Sequence, residues 1–182
     1  MGPSDEFDVV VICSGNRFRS PLAEAVLRSK TDGLPVRVRS FGTLDLPSGS
    51  ALSEALELAP SYGLDLVAHR SQPLAGNDLS DADLVIGFEQ SHVAMAVVGA
   101  KAPRERTFLI SDLVAALDHT EPPRENGVVE RARATVRQAD AARTTGSPQE
   151  IADPLGGPAS GYRKAADEVY RLTSRVAERL FG

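Results

Sequence analysis

Apolar residues recur along this chain with two periods, and the alternation between them lays out the elements. Residues 7–12 form a nearly unbroken apolar, β-branched run, the pattern of a short buried strand. Beyond Ser20, to about Lys30, Leu22, Ala23, Val26 and Leu27 fall at helical spacing, with Glu24, Arg28 and Lys30 placed toward water. Asp32-Gly33 ends that helix and Pro35 precedes Val36-Arg37-Val38-Arg39, whose period-two alternation predicts a half-exposed strand at a sheet edge. Residues 50–62 carry Ala51, Leu52, Ala55, Leu56, Leu58 and Ala59 at helical spacing, with Gly63 as the stop and Pro60 as an irregularity. Residues 82–88 form a third, centrally placed strand, 91–98 a short helix, and 107–110 a fourth strand. Residues 160–181 form a long helix whose core face is Tyr162, Ala166, Val169, Leu172, Val176 and Leu180.

Strands alternating with helices predict an α/β fold: a four-stranded parallel sheet flanked by helices on both faces. Functional groups in such folds gather outside the carboxyl ends of the strands, where Cys13, Ser40 and Phe88-Glu89 all fall. One domain is expected over residues 7–182, after a polar, disordered lead-in at 1–6 without the features of a signal peptide. An extra helical insertion is expected near 119–149, opened by Pro122-Pro123 and closed by Gly146-Ser147-Pro148. Within it Val129, Ala132, Val136 and Ala139 keep helical spacing among Arg131, Arg133, Arg137 and Arg143. These arginines are expected to form a solvated basic face, or a platform for an acidic partner or a lid.

Composition narrows the field. A net charge of −5 gives no ground for nucleic acid or an anionic membrane as partner, and no apolar run reaches the length of a membrane span. The single cysteine excludes an internal disulfide and a cysteine-based structural metal site, and points to a reducing, cytoplasmic location.

That cysteine stands at the centre of the candidate chemistry. Cys13-Ser14-Gly15-Asn16-Arg17-Phe18-Arg19-Ser20-Pro21 joins the first strand to the first helix. Ser20 is the expected N-cap and Pro21 the first helical residue. A strand–loop–helix turn aims backbone N–H groups and the positive end of a helix dipole into one concavity, an anion site. The anion can be a ligand or the protein's own thiolate, and Cys13 enters where a thiolate nucleophile is favoured. Arg19 brings a planar fork suited to two phosphoryl oxygens. Phosphoryl transfer to a nucleophile further needs an acid for the leaving oxygen; Asp153-Pro154, in the Gly- and Pro-rich stretch 152–158, offers one, though on its own an Asp-Pro pair reads first as a turn.

The Cys13-x5-Arg19-Ser20-Pro21 stretch with Gly15-Asn16 inside it resembles the phosphate loop of the low-molecular-weight protein tyrosine phosphatases. The resemblance covers roughly residues 7–112 and 151–182. It implies a phosphatase that hydrolyses phosphomonoesters, on a phosphotyrosine protein or a related small phospho-substrate, through a cysteinyl-phosphate intermediate. By this likeness Cys13 is the nucleophile, Arg19 the phosphate clamp and Asp153 the general acid. Ser14, Gly15, Asn16, Arg17, Phe18 and Arg19 form the phosphate-binding loop. Ser20, Ser40 and His69 support it, the latter two by bracing Asn16, while His92 and His119 receive no role. The resemblance implies neither metal nor cofactor, because the loop and Arg19 supply the charge stabilisation that Mg²⁺ provides in kinases.

Several positions depart from the family pattern. A second loop cysteine is usual where Phe18 stands, and its thiol would shield the nucleophile from irreversible oxidation. Arg17 replaces a small or aliphatic residue. The aromatic walls of tyrosine-selective members are matched by Leu46 and Leu155. Asp153-Pro154-Leu155-Gly156-Gly157 is closer to the corresponding loop of the bacterial protein-arginine phosphatases, which carry Thr where Arg17 stands. Arginine phosphatase activity is therefore one alternative, and a non-catalytic phosphate- or phosphoprotein-binding domain another. Arsenate reduction on the same loop in its thioredoxin-coupled form needs further cysteines, and Cys13 is the only one in the chain.

Overall fold

The computed structural model describes residues 5–121, 123–143 and 149–182. Four parallel strands, β1 (Phe7–Cys13), β2 (Val36–Gly42), β3 (Leu84–Gly87) and β4 (Thr107–Leu109), lie in the order β2-β1-β3-β4. All seven residues of β1 are buried, as its apolar run requires of a strand covered on both faces. The alternating β2 takes the edge, where Arg37 and Arg39 reach back to the buried carboxylate of Asp8.

Alternate side chains of the sheet feed two cores. Val9, Val11, Leu84, Ile86 and Phe108 face α1 (Arg19–Lys30), α4 (Ile110–Asp118), α5 (Val128–Ala141) and α6 (Ala159–Phe181). Val10, Ile12, Phe41 and Val85 face α3 (Gln90–Gly99) together with Leu74 and Leu79. Among the described residues no helix is long and apolar enough to cross a membrane.

Local differences from the sequence pattern have physical causes. The predicted 50–62 helix is instead a short α2 (Ser53–Leu58) followed by a 3₁₀ turn, Ala59–Tyr62. Pro60 has no N–H to continue the α ladder, and Gly63 at φ 72° ends the turn. Strand β4 stops at Leu109, because Ile110 opens a helix that the strand reading overlooked. The signal was present: Ile110, Leu113, Val114 and Leu117 are spaced as one helical stripe, and all are buried.

Helix α5 carries the predicted apolar stripe, with Val129, Ala132, Val136 and Ala139 buried. Arg133 and, just beyond the helix, Arg143 are less solvated than the charge pattern suggests, while Arg137 is exposed. Arg133 pairs with Asp83 at 2.8 Å and Arg143 lies 3.7 Å over the Phe108 ring. Asp83 precedes β3, so this anchor is at the opposite end of the sheet from Cys13, and α5 is no lid over that residue. The proposed lead-in residues 1–4, Pro122 and the 146–148 boundary lie outside the described residues.

Candidate active site

The loop between β1 and α1 crosses the end of β2 closely. A Cβ on Gly42 would lie 2.9 Å from the Gly15 carbonyl carbon and the Ser14 oxygen, so only glycine fits there. Helix α1 begins at Arg19, after Phe18, which makes no side-chain cap. Ser20 is therefore not the N-cap, and Pro21 is the third helical residue, still within the turn whose N–H groups lack partners. The Ser20 hydroxyl is occupied elsewhere, 3.0 Å from Cys13 Sγ and 2.8 Å from Asn16 Nδ2.

Asn16 is the keystone of the loop. It is fully buried at φ 52°, a left-handed conformation that Asn tolerates better than most residues. Its Nδ2 donates to Ser20 and to Ser40 Oγ (2.7 Å), its Oδ1 accepts Gln72 N–H (2.9 Å), and its amide points at Cys13 Sγ (3.2 Å). His69 Nε2 lies 2.8 Å from the Asn16 carbonyl oxygen. Ser40 in turn donates to Glu24, which is buried and not on the water-facing side of α1. The sequence spacing of α1 conceals this, because Glu24 acquires its buried partner from β2.

Arg19 is 1% exposed, and its fork is held within the site. One nitrogen, Nη1, donates to Glu89 and to the Ile151 carbonyl (2.7 Å). The other, Nη2, donates to Ser14 Oγ at 3.0 Å and to Asp153 Oδ2 at 2.7 Å. The Asp153 loop is pinned on both flanks. Ile151 N–H bonds the Phe88 carbonyl, and Gly156 N–H bonds the hydroxyl of Tyr162, whose ring meets Phe18 edge-on. Phe18 thus ties the cysteine loop to the aspartate loop from inside the core.

His92 receives no role from the sequence, and Glu89 is placed at the strand ends beside Cys13 without one. They form a capping box at the start of α3, and the Glu-x-x-His spacing after an apolar strand was the available signal. His92 Nε2 lies 3.1 Å from Ser14 Oγ. Burial first, then the neighbouring Arg19 cation, holds the His92 pKa down to about 4.

A cavity of about 160 Å³ opens over Cys13, which is its nearly buried floor. Arg17, Leu44, Leu46, Leu52 and Leu155 wall it, and Asp153 stands at the rim. Leu46 and Leu155, matched to the family's aromatic walls on sequence, do line the mouth. Arg17 is turned along the wall. Its guanidinium donates to the Pro47 carbonyl (2.7 Å) and, at 3.4 Å, to Ser71 Oγ. A larger cavity, about 550 Å³, opens beside Asp83, Arg106 and Arg133 at the other end of the sheet, but it contains no nucleophile. Among the described residues no cluster of three His, Cys, Asp or Glu side chains is disposed to hold a metal ion.

The chain is similar to known proteins in sequence and in overall fold. The chain is 28% identical over 175 residues to the protein-arginine-phosphatase of Bacillus subtilis, covering 95% of this chain and 96% of that one. It is 29% identical over 132 residues to the low molecular weight protein-tyrosine-phosphatase Etp of Escherichia coli, covering 68% and 88%. The crystal structure of a low molecular weight protein tyrosine phosphatase from T. tengcongensis superposes with a TM-score of 0.71 at 28% identity, covering 96% of this chain and all of that one. A sequence model described as low molecular weight phosphotyrosine protein phosphatase matches residues 8–122, and the chain belongs to that family.

Proposed function

We propose that the protein hydrolyses phosphomonoesters with Cys13 as nucleophile. The observation that carries this is the convergence on one small pocket of a buried thiol and a buried guanidinium from the β1–α1 loop and a rim carboxylate from the distant 152–158 stretch. Cys13 attacks phosphorus, and the N–H groups of Ser14, Gly15, Asn16, Arg17, Phe18 and Arg19 with the Arg19 fork hold the equatorial oxygens. A phosphoryl group arriving at Arg19 Nη2 takes the place of the Asp153 carboxylate, which, away from the guanidinium, takes up a proton from solvent and passes it to the leaving oxygen. Asp153 next accepts a proton from the water that cleaves the cysteinyl phosphate. Ser20 serves the thiolate, and Ser40 and His69 hold Asn16 and hence the loop.

The substrate is a phosphorylated protein or a small phospho-compound, and a reducing, cytoplasmic setting suits a lone nucleophilic thiol. Turnover of p-nitrophenyl phosphate by wild type and Cys13→Ser tests the mechanism. A serine hydroxyl stays un-ionised at neutral pH, so the variant should fold and bind phosphate without turnover. Retention of activity within tenfold would remove the covalent route, and an inactive wild type that still binds phosphate would favour a binding domain.

Phosphoarginine is the second candidate substrate. It is supported by the protein-arginine-phosphatase relatives, which align over 95–96% of this chain. Arg17 at the mouth weighs against it, because a departing guanidino group becomes a cation beside another cation.

A further inference from the structure

His92 stands in the first turn of α3, 1% exposed, and its two ring nitrogens have different partners. Nδ1 accepts the backbone N–H groups of Phe88 at 3.3 Å and Glu89 at 3.1 Å. An atom that accepts two N–H donors carries a lone pair, so the neutral ring has its proton on Nε2. The fold makes room for this ring, since a Cβ on Gly87 would come within 2.9 Å of His92 Cβ. With its pKa held down to about 4, the ring stays neutral at physiological pH.

The Nε2–H group therefore donates to Ser14 Oγ, 3.1 Å away. The same oxygen accepts Arg19 Nη2 at 3.0 Å. A hydroxyl oxygen has two lone pairs, and here both are taken. The Ser14 proton is left to be donated, and Ser14 lines the pocket over Cys13.

We infer that His92 is a positioning residue that turns the Ser14 hydroxyl into an obligate donor to the anion bound over Cys13. A side-chain donor is thereby added to the loop amides and the Arg19 fork. Donors fixed in advance inside a small, poorly hydrated pocket are the kind that stabilise a transferring phosphoryl group. The phosphatase reading enters only in naming that anion as phosphoryl; the hydrogen-bond polarity stands on the ring and the hydroxyl.

The test uses two substitutions that divide the ring's functions. His92→Asn retains an acceptor near Nδ1 and has nothing at Nε2, whereas His92→Gln places an amide donor near Nε2 and gives up the Nδ1 acceptor. Together with Ser14→Ala and the Ser14→Ala/His92→Asn double variant, they are compared for kcat/KM on p-nitrophenyl phosphate and for binding of inorganic phosphate and vanadate. Ser14→Ala and His92→Asn should each lose roughly tenfold in kcat/KM and in both affinities, the scale of one lost charge-assisted donor. The double variant should be no worse than Ser14→Ala alone, and His92→Gln should recover most of the loss even where it melts earlier. Equal losses in His92→Asn and His92→Gln, multiplying losses in the double variant, or unchanged phosphate affinity in Ser14→Ala would each overturn the inference. Nitrogen NMR of the wild type decides it without any variant: the Nε2–H tautomer at neutral pH is required, and an Nδ1–H or doubly protonated ring rejects it. Phosphate titration needs no turnover, so a wild type that binds but does not hydrolyse refutes the phosphatase reading while still judging Ser14 and His92.

Discussion

Asp153 Oδ2 lies 2.7 Å from Arg19 Nη2, so the proposed acid and the proposed phosphate clamp are each other's partner in the unliganded site. Glu89 and the Ile151 carbonyl hold the other fork nitrogen. Half of the guanidinium is thus fixed by the scaffold, and the other half is bound to a rim carboxylate that a phosphoryl group can replace. The 35% exposure of the Asp153 side chain leaves it room to turn toward the leaving group, in contrast to the almost fully buried Arg19.

Asp153→Asn should separate substrates by leaving group. Nitrophenolate departs with little help from an acid, whereas phenyl and alkyl oxygens need the proton. Losses of about 10²–10⁴ are expected on phenyl or alkyl phosphates, and far smaller losses on p-nitrophenyl phosphate. Removing a charged competitor from Arg19 should also tighten inorganic phosphate binding. Steady-state rates on both substrates check the first point, and equal losses would place the acid elsewhere.

The strand, loop and helix around Cys13 are legible in the sequence because their signals are local: a β-branched run, a Gly-Asn turn, and a Ser-Pro opening followed by a 3.6-residue stripe. The partners that hold the loop are only partly legible. Ser40 and His69 are reached through family likeness alone, and in the fold Ser40 Oγ accepts from Asn16 Nδ2 while His69 Nε2 lies 2.8 Å from the Asn16 carbonyl oxygen. Glu24 and His92 do not follow, because each acquires its role from a residue distant in sequence, Ser40 on β2 and Ser14 in the loop. Periodicity reports which way a side chain faces on its own element, not what another element brings to meet it. The Ser20 cap fails for a related reason, as the hydroxyl that would cap α1 is turned to the thiol.

Asn16→Ala should cost about 2–4 kcal/mol of unfolding free energy. It takes the acceptor from the Gln72 N–H and a donor from each of the buried Ser20 and Ser40 hydroxyls, at about 1–3 kcal/mol for an unsatisfied buried group. It also puts Ala at φ 52°, a left-handed conformation that Asn tolerates better because its short polar side chain can bond locally. Urea titration measures the sum. Asn16→Gly relieves the backbone part alone and should fall between Ala and wild type.

The buried His92 predicts an acid limb in stability. Above pH 6.5 the ring is neutral in folded and unfolded chains and contributes no pH dependence. Between 6.5 and about 4 the unfolded chain takes up a proton that the folded chain refuses, so stability falls as pH is lowered. The slope from this one group approaches about 1.4 kcal/mol per pH unit within that window. In His92→Gln, which does not titrate, the slope of unfolding free energy between pH 6.5 and 4 should be shallower than in wild type. Parallel pH profiles would show that His92 does not resist protonation in the fold.

Arg17 decides what else the pocket accepts. Its hydrogen bonds among the described residues go to the neutral acceptors Pro47 O and Ser71 Oγ, and none of the ion pairs there includes it. The cation thus stands without an ion pair among the described residues, at a pocket that Leu44, Leu46, Leu52 and Leu155 also wall. It also anchors the loop that carries Leu44 and Leu46, since Leu52 N–H bonds the Arg17 carbonyl at 2.8 Å and Gly49 packs where a Cβ would come 2.9 Å from Arg17 Nη2. A fixed positive charge there should favour substrates with a second negative group near the phosphate, acidic phosphopeptides or doubly charged small molecules, and disfavour phosphoarginine. Arg17→Thr should lower the ratio of kcat/KM for acidic over neutral phosphopeptides severalfold. The difference should shrink at high salt, because the contact is at a solvent-open mouth. An acidic-to-neutral ratio unchanged by Arg17→Thr at low salt would remove charge selection from this residue and leave it as an anchor for the leucine wall. A rise in phosphoarginine turnover in the same variant would identify Arg17 as the barrier between this chain and its arginine-phosphatase relatives.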